Sequence, residues 1–154
     1  MAEKYTDAKF TLYGSDYYDL TIGEDGDIEK VNSFDTALLL SLFGSDRRAS
    51  PTEVPESYRR RGWIGDIGKV VELGSKLWLT YQARLTVSTV NIVRDYTSQA
   101  LAWLPELGYL KSVSVNCVRN IDRGEIVAEI ELTRLDDSVE SRNFVVWNNT
   151  GRAQ

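Results

Sequence analysis

The chain has 154 residues, of which 42% are apolar and 27% charged, a balance that fits one ordinary globular domain able to fold without a disulfide or a metal. It has no histidine, which removes the commonest general base and metal ligand, and one cysteine, Cys117, which forbids an internal disulfide. A net charge of −5, without any RNP, zinc-finger or helix-turn-helix pattern, argues against a nucleic-acid partner, and no apolar run approaches the ~20 residues that span a bilayer.

The N-terminus, "MAEKYTDAKF", lacks the basic-then-apolar layout of a secretory signal, so synthesis in the cytoplasm is expected. Residues 1–15 are polar and read as a loose arm ahead of a single domain over 16–148, with 149–154 as a tail. "YYDLTIGEDGDIEKV" carries a hairpin signal: Tyr18, Leu20 and Ile22 alternate, Gly23 to Gly26 turn, and Ile28 and Val31 resume. "GEDGD" has the look of a calcium-loop fragment but lacks the remaining ligands and the terminal Glu, so it reads as a turn.

"NSFDTALLLSLFG" reads as a short helix, capped by Asn32 or Ser33, with Asp35 in the first turn. Leu38, Leu39, Leu42 and Phe43 form its apolar face, and Gly44 ends it. Ser45 to Val71 then runs without regular pattern through two prolines and three glycines, a length that inside a compact domain points to function or to a partner. Five arginines fall between Asp46 and Arg61, whereas Asp16 to Glu29 holds acids and no base. That asymmetry points to an electrostatic partner or to the protein's own folded neighbours. A tryptophan follows at once in "SYRRRGWIGDIG", and Trp and Arg are enriched at interface hot spots. Arg59, Arg60, Arg61, Trp63 and Asp66 are therefore read as a clamp that meets a partner.

A short helical piece is expected around Leu77–Leu79, and a longer helix from Thr86 to about Leu104. There Val90, Val93, Tyr96 or Thr97, Ala100, Leu101 and Leu104 recur at helical spacing, and Pro105 and Gly108 stop it. Trp78 and Trp103 are assigned to the core. After Tyr109 the period becomes two. "LKSVSVNCV" points Val113, Val115 and Cys117 one way, the cysteine as a packed bystander, and "EIVAEIELTRL" answers with Ile126, Ala128, Ile130 and Leu132. In "RNFVVWN", Phe144 and Val146 would face one side and Val145 and Trp147 the other, and this last strand is read as an edge for pairing with a neighbouring subunit. The order predicts an α+β fold, mainly an antiparallel sheet with two principal helices on one face.

"RRGWIGD", "GSKLWL", "QALAWL" and "VSVNCVRN…GEIVAEIELTR", in that order from about Tyr18 to Leu135, resemble the Mu-type contractile-tail phage baseplate proteins. That family is similar to the baseplate wedge protein of T-even phages, sometimes labelled lysozyme-like. The resemblance implies a virion structural protein, not an enzyme, at the upper rim of the tail baseplate. It would need no cofactor or metal. Its partners would be baseplate wedge proteins and the tail sheath protein, whose first ring it would template, with tail tube or hub proteins nearby and copies in a six-fold ring. An acid-x-Arg motif after the first helix docks such proteins on the wedge core. Here "GSDRRAS" stands in its place, giving Asp46, Arg47 and Arg48, with Asp where Glu is usual and no proline before the arginine. Phe144, Val145, Val146 and Trp147 would be the sheath-pairing strand. The alternatives are a peptidoglycan-cleaving lysozyme-like enzyme, for which Glu129 and Glu131 form the nearest carboxylate pair, and an adaptor of a related contractile injection machine.

Overall fold

A computed structural model describes residues 7–13, 17–31, 34–69 and 71–149. Its centre is a three-stranded antiparallel sheet of β5 (Ser112–Asn120), β6 (Glu125–Thr133) and β7 (Val139–Asn148), with β6 in the middle. The register runs Ser112↔Thr133 to Asn120↔Glu125 on one side of β6 and Thr133↔Val139 to Glu125↔Asn148 on the other. Period-two sequence sets the faces. Ile126, Ala128, Ile130 and Leu132 are buried, whereas Glu129 and Glu131 are exposed.

The helices cover the apolar face. α1 (Asp35–Leu39) continues into one π-helical turn, Leu40–Gly44, which buries Leu42 and exposes Leu40. The Leu42 carbonyl lies in the last turn, where no helical amide follows, and the Ser75 hydroxyl donates to it at 2.7 Å. The Asn32 or Ser33 cap lies outside the described residues; Phe34 occupies the N-cap position without a side-chain bond. A 3-10 turn, Leu77–Thr80, leads to α2 (Val87–Leu101), whose first free amides are met by Thr86: its hydroxyl accepts from Thr89 N at 3.2 Å. Val93, Thr97, Ala100 and Leu101 face inward. Thr97 is tolerated there because its hydroxyl donates back to the Val93 carbonyl at 2.8 Å. The chain then makes a four-residue helix, α3 (Trp103–Glu106), which buries Leu104. No described helix is long and apolar enough to cross a membrane.

Two expectations are corrected here. Residues 7–13 do not form a loose arm. β1 (Asp7–Ala8) and β2 (Phe10–Tyr13) pair with β4 (Lys30–Val31) and β3 (Tyr17–Leu20) respectively. The predicted hairpin thus closes only at its tip, where Ile22 and Ile28 bridge; farther out each arm pairs with the segment before it. The second correction concerns β7. Its register with β6 slips between Ile126 and Val127, so Val145 pairs with Val127 and Trp147 with Ile126. Val146 is the inserted residue of a β-bulge. The bulge turns Trp147 onto the same side as Phe144, and Val146 and Trp147 are both buried. Strict alternation had placed Trp147 on the opposite side.

Candidate functional site: a cleft in the 45–71 loop and an open strand edge

The long loop is irregular but not loose. Its start is tied down by a parallel bridge between Asp46 and Ser75, in which Arg47 N donates to Ser75 O at 2.8 Å and Ser75 N to Ser45 O at 3.1 Å. Gly74 permits this approach: its φ is +86°, and a Cβ there would stand 2.0 Å from the Ser45 carbonyl oxygen. Farther along, Ala49 N donates to Arg60 O, and Leu73 N donates to the Asp66 carboxylate at 3.0 Å. Asp66 therefore closes the loop from within.

Arg47 is buried. Its guanidinium donates to the Glu72 carbonyl at 2.6 Å and the Gln99 carbonyl at 3.2 Å, and its own carbonyl accepts the Trp78 indole N–H at 2.9 Å. Burial lowers its pKa, with the carboxylates of Glu72, Asp66 and Glu106 acting in the opposite sense. Asp46 pairs with Arg61 at 2.7 Å, and the Arg61 guanidinium lies 4.5 Å from the centre of the Trp78 ring. Arg48 is exposed. Among the described residues, the guanidinium groups of Arg48, Arg59 and Arg60 have no ion pair, so the arginine cluster divides into structural members (Arg47, Arg61) and available ones.

Asp46 and Arg61 border a cleft of about 930 Å³, walled by Tyr58, Trp63, Trp78 and Tyr81, with Arg59 and Arg61 on its rim. Trp63 is 52% exposed, and its ring lies over Gly65, where any Cβ would collide with it at 2.3 Å. The structure thus brings Asp46, Arg59, Arg61 and Trp63 to one cleft. Arg60 turns instead to a shallow hollow beside Pro51, Val54 and Pro55. Trp78, assigned from its spacing to the core, is a wall of this cleft. Trp103 packs against the core as expected and donates its indole N–H to Ser41 at 3.0 Å.

Glu53, which lines the cleft, makes an ion pair that sequence reasoning missed. Glu53 accepts from Lys76 Nζ at 2.9 Å and from the Ser50 amide at 2.6 Å. A signal was present in "SPTE", the spacing of a reciprocal turn bond. Burial is the largest single influence on this carboxyl and pushes it up. The Lys76 and Ser50 bonds together outweigh it and bring the pKa down from 4.5 to about 2. A carboxyl depressed in the folded state stabilises the fold fully above its unfolded pKa and loses that contribution as pH falls. Between pH 4.5 and 2, the wild type is expected to lose about 1–2 kcal/mol more than Glu53→Gln, allowing for solvent screening. Urea unfolding of both proteins across that range measures the difference.

The second feature is the outer edge of β7, which no described strand pairs. The turn into β7 sets which amides face outward. Arg134 N donates to Ser138 O and Asp137 N to Arg134 O, making 134/138 a hydrogen-bonded pair. Alternation then makes Val139, Ser141, Asn143 and Val145 the residues whose backbone groups point away from β6. The side chains of Phe144, Val146 and Trp147 belong to the subunit's own core: Phe144 meets Phe43 edge-on, and the Trp147 indole donates to Thr80 O at 2.8 Å.

The carboxylates of Glu129 and Glu131 stand on the exposed sheet face beside Ser114, Asn116, Ser141 and Asn143, and Asn116 donates to Glu129 at 2.9 Å. A glycosidase acid needs apolar surroundings that hold its proton, and these surroundings are polar. Cys117 packs against the core, and burial raises its thiol to about 11, so it stays protonated at neutral pH.

An aromatic cleft with the Arg59 guanidinium at its rim, and a sheet edge that no described strand covers, are the equipment of a binding protein. Residues 34–139 match the phage protein GP46 family, and the chain belongs to that family. It is 36% identical over 126 residues to baseplate protein gp46 of Escherichia phage Mu, covering 80% of this chain and 86% of that protein. It is 33% identical over 114 residues to the Mu-like prophage FluMu protein gp46 of Haemophilus influenzae, covering 73% of this chain and 77% of that one. The family resemblance carried by the ordered motifs therefore holds. No solved structure matches the chain.

Proposed function

We propose that the protein is a structural, non-catalytic component of a phage tail baseplate and works by docking to its neighbours. The similarity to baseplate protein gp46 of phage Mu supports the baseplate role. In the finer reading the tail is contractile. The segment after α1 seats on the core of the wedge, and β7 offers its outer edge to the first ring of sheath subunits, close to tube or hub proteins. Arg48, exposed and without an ion pair among the described residues, makes the wedge contact, while Asp46 holds Arg61 over Trp78 and Arg47 fixes the backbone between them. Copies in a six-fold ring would let several weak contacts act together.

The observation that carries the sheath reading is the unpaired edge of β7, at which Val145 directs its N–H outward. Strand addition across a subunit boundary needs that donor and is tolerant of the side chain. Val145→Pro removes the donor without breaking a bond to β6, so it folds but fails to seed sheath. Val145→Thr folds and seeds. Both are tested by mixing with purified wedge and sheath proteins and scoring sheath rings by electron microscopy. Equal seeding by the two variants rules out strand templating and leaves the baseplate assignment standing.

A further inference from the structure

The acidic turn between β3 and β4 and the arginine cleft are complementary surfaces on one chain. The turn is held by Gly23 N donating to Asp27 O at 2.8 Å and Gly26 N donating to Gly23 O at 3.0 Å. It carries Glu24, Asp25 and Asp27, all exposed. The Asp25 and Asp27 carboxylates accept only from neighbouring backbone amides, and none of the three has a cationic partner among the described residues. Immediately behind this acidic crown, Ile22 and Ile28 bridge across the strands, and both are exposed, Ile22 by 59%. An exposed cross-strand isoleucine pair capped by three carboxylates presents apolar sides and a negative tip. The cleft presents the converse: the aromatic walls of Tyr58, Trp63 and Trp78, with Arg59 unpaired at the rim. Ile64, next to Trp63, is 81% exposed. No hydrogen bond or ion pair among the described residues joins the turn to the loop within a subunit.

We infer that the Gly23–Asp27 tip of one copy seats in the aromatic cleft of a second copy, head to tail. The isoleucines would meet Trp63 and Tyr58, and the carboxylates would meet Arg59 and the outer face of Arg61. Unpaired charges of both signs, each next to exposed apolar surface, favour this occupant over an uncharged peptide. Repeated head to tail, this contact builds a ring or an open chain of copies, whereas a two-fold dimer would seat both tips in both clefts reciprocally and stop at two. This inference rests on reading the 45–71 loop as a docking surface and names its partner.

Sedimentation equilibrium of the full chain, wild type and charge-reversed, tests it. The wild type should self-associate in a concentration-dependent way at low ionic strength, and weaken when about 1 M salt shortens the screening length to about 3 Å. Asp25→Arg and Arg59→Glu should each weaken self-association at least about ten-fold, that is by at least about 1.4 kcal/mol. Mixed together they should associate again, because one copy keeps a native tip and the other a native cleft. Circular dichroism confirms that both variants are folded. A wild type that stays monomeric at high concentration, or variants that associate as well alone as mixed, overturns the head-to-tail contact. If Arg59→Glu then still loses binding to purified wedge protein, the loop remains a docking surface and only its partner was misassigned.

Discussion

Trp147→Ala is expected to destabilise the folded chain by about 3–5 kcal/mol, the cost of removing a large aromatic from a packed core. Trp147 is 2% exposed and sits in the same cluster as Leu77, Val93, Leu101 and Ile126. Its indole N–H also satisfies the Thr80 carbonyl at 2.8 Å, so truncation leaves a buried acceptor unpaired as well as a cavity. This one side chain ties the last strand to the 3-10 turn ahead of α2. Trp147→Phe separates the two contributions. It keeps most of the ring and loses the bond, and should cost about 1–2 kcal/mol. Against a total stability of about 5–15 kcal/mol, the alanine change is a large fraction of what holds the protein together. Urea unfolding followed by far-UV circular dichroism, with an unchanged slope, reads both values. A loss under about 1 kcal/mol for Trp147→Ala would mean that the bulge does not turn this residue inward.

The bulge also marks where the sequence stops being legible. β5 and β6 follow the period-two rule residue by residue, and Val113, Val115, Cys117, Ile126, Ala128, Ile130 and Leu132 lie on the predicted face. In β7 the same rule is right up to Val145 and then fails, because one inserted residue reverses the side of everything after it. Nothing in "FVVWN" announces the insertion; all its residues suit a strand. The helices were legible for the opposite reason. Leu38, Leu42, Val93, Ala100, Leu101 and Leu104 recur at a spacing that only a helix turns into one buried stripe. β1 was missed because its pairing is non-local: Ala8 pairs with Lys30, and no short-range turn signal records that contact. β2 pairs locally, Tyr13 with Tyr17, and the Gly-Ser-Asp between them was a turn signal passed over.

At the candidate site the sequence located the loop and its residue types but not the division of labour among them. Composition shows five arginines near a tryptophan; it does not show that Arg47 turns inward while Arg48, beside it, turns out. That depends on carbonyl groups at Glu72 and Gln99, 25 and 52 residues away. The wall formed by Trp78 was hidden similarly, since its ring is covered by Arg61 from a different part of the chain. Long-range polar contacts leave no periodicity for a reader to follow, whereas apolar burial does.

Arg47→Met is expected to cost about 2–4 kcal/mol, although it removes a buried charge. Two effects oppose each other. Burial disfavours the guanidinium, as its lowered pKa records, and its Nε is buried without a hydrogen-bond partner among the described residues. Relief of that strain alone would make a methionine of similar length neutral or stabilising. The opposing effect is the loss of donors to two carbonyls, Glu72 O at 2.6 Å and Gln99 O at 3.2 Å. Gln99 lies in the last turn of α2, where carbonyls are left open and a cation is favoured by the helix dipole. Both bonds are part-buried, and an acceptor left unpaired in such a place costs about 1–3 kcal/mol, so two of them outweigh the relief of one desolvated cation that carboxylates already offset. Arg47→Lys should recover only part of the loss, because one ammonium does not reproduce a planar fork reaching two separate acceptors. The same change loosens the anchor of the cleft, since Arg47 also supplies the amide bonded to Ser75 and the carbonyl that orients Trp78. Amide hydrogen exchange should therefore speed up across residues 45–75 in Arg47→Met before global unfolding, with β5 and β6 still protected. A methionine variant as stable as the wild type, with unchanged exchange in the loop, would show that charge burial dominates and that the cleft is held by the Asp46–Ser75 bridge alone.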